Sequence, residues 1–422
     1  MKLHIDIDCF FVSAHRSMHP EYAKIPLAVG GRSNLSIFET QKSTRTLSKI
    51  EGAFTSSILS SNENKTFEDY FVDDDKRVRG IITTSSYEAR KYGVKTAMSV
   101  AEALRWCPML KVLPPNYPLY HELSHKFKKI LEKEIPSIEQ FSIDEFFGDV
   151  TGWIKDEDIY DFALRLKQKI NDEIGLPVSI GISKSKWIAK LATGFAKPFG
   201  VRYIKESEVN NFIKEIPISK FPGVGKGYKE RLEKYNIHTL GEIVNKKELF
   251  YSWGKFGMQL YNRVCGTDNE KIAIAQERKS IGLGRSFDPE SNRIEIKRRI
   301  VILCRHISFL AFKGKHNPMT FSLNIKYQYG VIVKDYLNTN RAFSELILKK
   351  EMLKLFDTID IHRSHAIIYM NLTLSNFNET KKRTMSLLSY EEDTKQVNLT
   401  NMMQNLRNKF GIDIIKSAGE LE

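Results

Sequence analysis

Along residues 2–8, apolar and polar side chains alternate: Leu3, Ile5 and Ile7 fall on one parity, His4, Asp6 and Asp8 on the other. A period of two predicts a half-buried β-strand whose two acids project from the same face. The next apolar run, "IPLAVGG", predicts a second short strand ending at Gly30 and Gly31. Periodicity is then lost over residues 32–78, which are rich in Ser, Thr and Asn and hold the acidic triplet at 73–75. That composition predicts a long surface insertion. Strand character resumes in "RGIITTSSYEARKYGV", where Ser85 and Glu88 have the spacing of a helix-opening capping box. Helical periodicity follows in "DEDIYDFALRLKQKINDEIG" and in "SKWIAKLATGFAKPFG", the latter closed by Pro198 and Gly200, with the strand "PVSIGIS" between them. Strands alternating with helices predict a mixed α/β domain to about residue 204. Residues 205–272 show short helices and glycine turns. Residues 281–378 are strand-rich, with one amphipathic helix in "FSELILKKEMLKLFDTI".

A chain of 422 residues exceeds one ordinary core, and roughly three domains are expected. The excess of 65 Lys and Arg over 51 Asp and Glu gives a formal charge of +14, which favours a polyanionic partner such as nucleic acid or an anionic membrane. Cys9, Cys107, Cys265 and Cys304 are scattered without paired spacing, so neither a disulfide framework nor a zinc site is expected, and a reducing cytoplasm fits. The most apolar run, "VILCRHISFLAF", is interrupted by Arg305 and His306, and Asp6 and Asp8 interrupt the N-terminal one. Neither predicts a membrane span or a signal peptide.

An ionised carboxylate near a core is costly unless paired or bound to a cation, which leaves a metal site or a hidden basic partner for the first strand. A second acidic pair, Asp144 and Glu145 in "FSIDEFFGDVT", would point to opposite faces of a straight strand and converges only where the backbone turns hard. Set beside the first strand, the acids would supply about three negative charges, which suits a pair of Mg²⁺ ions and in-line phosphoryl displacement. Phosphate ligands lie nearby in sequence. Tyr87 and Arg90 share a helix face, Thr84 offers a hydroxyl, and Lys197 stands at a helix end. In "FPGVGKGYKERL", the turn Gly223, Val224, Gly225 exposes consecutive N–H groups that can hold a nucleic-acid phosphate without reading a base, aided by Lys226 and Lys229.

Taken in order, "DIDCFF", "SSYEARKYGV", "SIDEFFGDVT", "GISKSKWIAKLATGFAKP" and "FPGVGKG" resemble the Y-family translesion DNA polymerases, most closely the DinB or DNA polymerase IV branch, through residues 1–30 and 79–272. The resemblance implies a multidomain α/β and α+β right hand. Its ferredoxin-like palm would occupy residues 1–10 and 105–204, small fingers 11–104, a helical helix-hairpin-helix thumb 205–272, a linker 273–280, a little finger 281–378 and a tail 379–422. Asp6, Asp144 and Glu145, with the carbonyl of Ile7, are implied as ligands of two Mg²⁺ ions, and Asp8 as structural. Cys9, Phe10 and Phe11 would run beneath the incoming triphosphate, with Phe11 as the steric gate against a ribose 2′-OH. Thr84, Tyr87, Arg90 and Lys197 match triphosphate contacts, and residues 223–226 and Lys229 match a DNA contact. The implied activity is template-directed, error-prone addition of deoxynucleotides to a primer 3′-OH without proofreading, by a cytoplasmic monomer with primer-template DNA, dNTP and no membrane as partners.

Two departures stand out. The 47 residues 32–78 replace a short turn in the fingers, and their Phe54, Ile58, Leu59, Phe67, Tyr70 and Phe71 are enough apolar material to dock on the little finger or the template. The tail's nearest match to a sliding-clamp box, "TMSLL" at 384–388, lacks the glutamine and the aromatic, and the Leu399, Met402, Leu406, Phe410 stripe after it fits a packing helix equally well. A nucleotidyl cyclase-like palm enzyme and a non-catalytic basic DNA-binding protein on a polymerase-like scaffold are the alternatives. The first needs neither the thumb motif nor the positive charge, and the second would be expected to have lost an acid.

Overall fold

The computed structural model describes residues 1–33, 35–38, 46–47, 58–59, 65–272, 278–377 and 387–421. Phe54, residues 384–386 of the clamp-like segment and residues 273–277 of the linker lie outside the described residues. The chain divides into two compact units, one holding residues 1–31 and 65–272, the other the described residues of 32–47 and 57–60 and those from 278 onward.

In the first unit a five-stranded sheet runs in the order Val201–Tyr203, Val178–Ser183, Lys2–Ile7, Glu145–Asp149, Ser137–Gln140. The first strand is central and antiparallel to both neighbours. Leu3, Ile5 and Ile7 face a core with Phe146, Ile180 and Ile182, covered by the helices Tyr117–Glu134 and Ile159–Ile174. The opposite face is not solvent, as alternation predicted, because the helix Lys186–Ala196 lies over it. Gly181 permits that approach: a Cβ there would sit 2.0 Å from the carbonyl oxygen of Ala189. Both faces of the strand are therefore buried, and its acids need partners.

A three-stranded sheet places Leu27–Gly31 between Ile81–Ser85, antiparallel, and Lys111–Leu113, parallel. Phe71 from the insertion is fully buried in its core with Ile82, Val100 and Val112. It arrives on the short helix Phe67–Phe71, opened by a capping box between Thr66 and Asp69. Gly30 makes the seat, since a Cβ at that position would stand 2.5 Å from the Phe71 ring. The helix after Ile81–Ser85 is capped by Ser86, not Ser85: Ser86 Oγ accepts from Ala89 N–H at 3.2 Å, while Ser85 ends the strand and donates to the Val94 carbonyl. Residues 205–272 form short helices around Ile213, Phe221, Leu232, Leu240 and Phe250.

The second unit is a four-stranded antiparallel sheet, ordered Ser280–Glu290, Ile367–Phe377, Pro318–Tyr327, Ile332–Asn338. Two helices pack with it, Arg293–Lys313 and Glu345–Ile359, opened by the side-chain caps Asn292 and Ser344. The apolar run at 300–311 lies within the first of these helices and is buried on every side. Burial all round requires cover beyond the sheet, and residues 387–421, expected as a tail, belong to this unit. Their helix Tyr390–Phe410 turns polar residues inward. Buried Arg407 donates to buried Glu345, and Gln404 Nε2 donates to the same carboxylate at 3.1 Å. Arg305, also buried, is neutralised by Glu420 at 2.5 Å and Asp413 at 2.8 Å. No described helix is long and apolar enough to cross a membrane.

Candidate active site

Antiparallel pairing sets Asp6 directly opposite Glu145, so the two carboxylates share one face. Asp144 enters from the hard turn that adjacency required, residues 141–144, between Ser137–Gln140 and Glu145–Asp149. Its carbonyl accepts from Ile7 N–H at 3.1 Å, which fastens the turn to the end of the first strand. Ser142 shapes the turn. Its hydroxyl donates to Asp144 Oδ1 at 2.6 Å and accepts from Glu145 N–H at 3.0 Å.

Lysines of the covering helix face this cluster. Lys197, at the helix C-cap, donates to Asp6 Oδ1 and stands 4.0 Å from Asp8. Lys190 donates to Glu145 at 2.7 Å and reaches His4 Nε2 at 3.4 Å. Burial, then the charges of Lys190 and Lys197, holds the His4 pKa well below its ordinary value, so the imidazole is neutral at pH 7. Burial also pushes Asp6 up to about 8; Lys197 opposes this, and the neighbouring Asp144 and Glu145 add to it. Asp144 is raised by burial and by Glu145, against the Ser142 hydrogen bond. For Lys197, burial lowers the pKa, but Asp6 outweighs it and the net shift is upward. The acids are thus crowded and held by chain cations, and among the described residues no three acidic, His or Cys side chains stand at metal-ligand spacing.

Asp8 lies just past the strand and is fully engaged. It accepts from Ser179 Oγ at 3.0 Å, from Phe199 N–H at 2.6 Å and from the Tyr87 hydroxyl at 3.3 Å. Tyr87 is thereby drawn to the strand end, and the Arg90 guanidinium stacks over its ring at 5.0 Å. Arg90 also donates to the Ser85 carbonyl at 3.1 Å and keeps its side chain exposed. Thr84 is half-buried, three residues before Tyr87. Cys9 adopts a left-handed conformation, φ 47°, and opens the helix Phe10–Met18. The side chains of Cys9 and Phe10 are buried, so main chain is what they offer a ligand. Phe11 remains half-exposed, with its ring stacked on Tyr120 at 4.3 Å and 16°.

The glycine turn lies elsewhere in the unit. Gly223 has φ +95°, Gly225 caps the helix Lys226–Glu233, and no atom would meet a Cβ at 223, 225 or 227. Val224 is anchored in the local core. Lys226 and Lys229 are exposed and pair only loosely with Glu230 and Glu233, at 3.8 and 3.7 Å. Sequence reasoning missed Lys190 and Ser142. Their signals were present: Lys190 and Lys197 stand two helical turns apart, and Ser142 precedes Asp144 by the interval of a side-chain turn.

The model of the impB/mucB/samB family matches residues 5–194, and that of the IMS family HHH motif matches residues 206–237. A DNA polymerase IV of Pasteurella multocida (strain Pm70) is 29% identical over 79% of this chain and 82% of its own. Those of Serratia proteamaculans (strain 568) and Cronobacter sakazakii (strain ATCC BAA-894) are 32 and 33% identical over 68% of this chain and 69 and 70% of theirs. Among solved structures, a Y-family DNA polymerase chimera of Dbh and Dpo4 aligns over 89% of this chain and 98% of its own, with TM-score 0.69 at 22% identity. An insertion ternary complex of Dbh DNA polymerase aligns over the same shares, with TM-score 0.57 at 21% identity. These likenesses establish the multidomain right-hand fold, with palm, fingers, thumb and little finger. With both family models matched in order and such identity across more than two thirds of the Serratia and Cronobacter enzymes, the chain belongs to the Y family of DNA polymerases, in its DinB or DNA polymerase IV branch.

Proposed function

We propose that the carboxylate cluster is the catalytic centre, at which deoxynucleotides are added to a primer 3′-OH under template direction, error-prone and without proofreading. One observation carries this reading: Asp6 stands opposite Glu145 with Asp144 tied to the same strand end, and Lys197 donates into this cluster. In the proposed layout, residues 1–10 and 105–204 are palm, 11–104 fingers, 205–272 thumb, 273–280 linker and 281–378 little finger. Residues 387–421 pack on the little finger through buried ion pairs, Arg407 with Glu345 and Glu420 with Arg305.

Carboxylate oxygens are hard donors suited to Mg²⁺, and the mutual crowding that helps raise Asp6 to about 8 is what a divalent cation relieves. Asp6, Asp144, Glu145 and the Ile7 carbonyl are the proposed ligands of two ions. When bound, a Mg²⁺ pair lowers the pKa of the primer hydroxyl and stabilises the leaving pyrophosphate. The chain's own residues do the rest. Lys197 turns from Asp6 toward the triphosphate, Arg90 and Thr84 contact its oxygens, and Tyr87 stays bound to Asp8 and holds Arg90 by stacking. Cys9 and Phe10 present main chain beneath the phosphates, and Phe11 closes the space a 2′-OH would need. The open turn at 223–225 and its N–H groups, with Lys226 and Lys229, hold a DNA phosphate without reading a base.

All four cysteines are free thiols, which supports a reducing cytoplasm. The stripe Leu399, Met402, Leu406, Phe410 is exposed by 51, 67, 45 and 59%, which supports a sliding-clamp contact on this helix of an otherwise monomeric enzyme. A dead scaffold is disfavoured because every acid and both lysines are in place.

Single-turnover primer extension tests the proposal. Asp144→Asn and Glu145→Gln preserve volume and remove charge, so DNA binding survives and incorporation falls by at least about a hundredfold. A rate within about tenfold of the unsubstituted chain, about 1.4 kcal/mol of barrier, overturns the assignment.

A further inference from the structure

The start of the insertion is not a loose loop. Immediately after the strand Leu27–Gly31 of the first unit, the chain belongs to the second unit, where a turn of 3-10 helix, Leu35–Phe38, is built into the core. Ile37 is 2% exposed and Phe38 6%, among Ile281, Phe287, Ile296 and Ile300. Phe38 meets the Phe287 ring edge-on at 6.3 Å and 88°, and the Arg299 guanidinium lies against both rings, at 5.3 and 4.7 Å. Polar bonds fix the same arm. Both terminal nitrogens of Arg298 donate to the Phe38 carbonyl at 3.2 Å, and Ser286 N–H donates to Ser33 Oγ at 3.1 Å. The other end of the insertion is rooted in the first unit by Phe71.

We infer that residues 32–38 are a strap: a piece of the catalytic unit's chain that completes the core of the C-terminal unit and holds the two together independently of the linker at 273–277. Two buried apolar side chains, a ring cluster and three hydrogen bonds are what a core segment has and a passing loop lacks. The C-terminal unit thus takes part of its core from residues far upstream of the rest of it.

The test needs no polymerase activity, so its failure is distinguishable from failure of the catalytic assignment. A site-specific protease sequence is placed within residues 273–277 of the full chain, and the folded protein is cut and passed over a sizing column. The fragments are expected to co-elute from the unsubstituted chain and to separate when Ile37→Asp and Phe38→Asp are combined. Separation of the unsubstituted fragments overturns the strap, and so does co-elution of the substituted ones. Far-UV circular dichroism before cutting shows whether the charged variant folds. If it does not, Phe38→Ala replaces it, with an expected rise of at least about tenfold in the fragment dissociation constant; an unchanged constant overturns the inference.

Discussion

Removing the ring of Phe11 is expected to raise ribonucleotide use by at least about tenfold, read as the ratio of kcat/KM for dCTP and CTP opposite template G. The ring cannot give way to a 2′-OH, because Tyr120 stacks against it from behind. An unchanged ratio places sugar selection elsewhere. Phe71 carries a different burden. Its replacement by Ala opens a hole against Gly30 and Ile82 and is expected to cost about 3–5 kcal/mol, measured by denaturant unfolding of the full chain. At this scale the sequence was legible where chemistry dictates spacing. Asp6 sits on an alternating strand, and adjacent Asp144 and Glu145 demanded a turn, which is where the chain bends. It was not legible where function depends on what another element brings: Lys197 comes 191 residues after Asp6 and Lys190 comes 45 after Glu145, and no local pattern announces such pairings.

The helix Tyr390–Phe410 shows the same limit for an element. Its apolar residues at helical spacing were visible, yet they face outward, while Asp393, Thr400, Gln404 and Arg407 face in. Orientation is decided by partners far away, chiefly Glu345 and Arg341, which the spacing of residues along one helix does not reveal. Burial alone would raise Glu345, but the Arg407 hydrogen bond and the charges of Lys349 and Arg407 keep its carboxyl below the ordinary value of 4.5. A depressed carboxyl contributes stability that is complete above its unfolded value and is lost as pH falls through the folded one. The C-terminal unit is therefore expected to melt earlier at pH 3 than at pH 6, and Glu345→Gln to flatten that dependence. All four tryptophans lie in the first unit, so loss of far-UV signal without a tryptophan change isolates the transition. Ending the chain at residue 379 is a poor test of clamp binding, since it also strips Arg305 of its partners, at about 3–5 kcal/mol for an orphaned buried charge, and leaves Glu345 with Lys349 alone. Leu399→Ser with Phe410→Ser is the cleaner variant, expected to keep the melting temperature and lower clamp-stimulated processivity.

For the whole molecule, a formal charge of +14 and the turn proposed to hold a phosphate imply binding that is mostly backbone-directed. Titrations of two unrelated primer-templates at several salt concentrations are expected to give similar affinities and similar steep slopes. The insertion is divided in effect: replacing residues 39–64 by a short Gly-Ser turn spares Ile37, Phe38 and Phe71 and is expected to leave synthesis on undamaged template within about tenfold. Replacing 34–76 removes core from both units and is expected to lower the melting temperature sharply. Fold class and unit order were readable because the motifs occur in sequence order. That the described parts of the insertion complete two cores was not, because contributions to another core leave no local signature.

The pair between Arg305 and Glu420 has a consequence for how the protein is made. The two are separated by 115 residues, and translation emits the arginine first. At about 5–20 residues per second, an interval of roughly 6 to 23 s passes on the ribosome before the glutamate exists. Until Asp413 and then Glu420 have been made, the helix around Arg305 cannot close over a fully neutralised charge, and its apolar flanks stay open to chaperones and proteases. Nascent chains arrested shortly before residue 420 should therefore be digested in their C-terminal unit under conditions that spare the released protein.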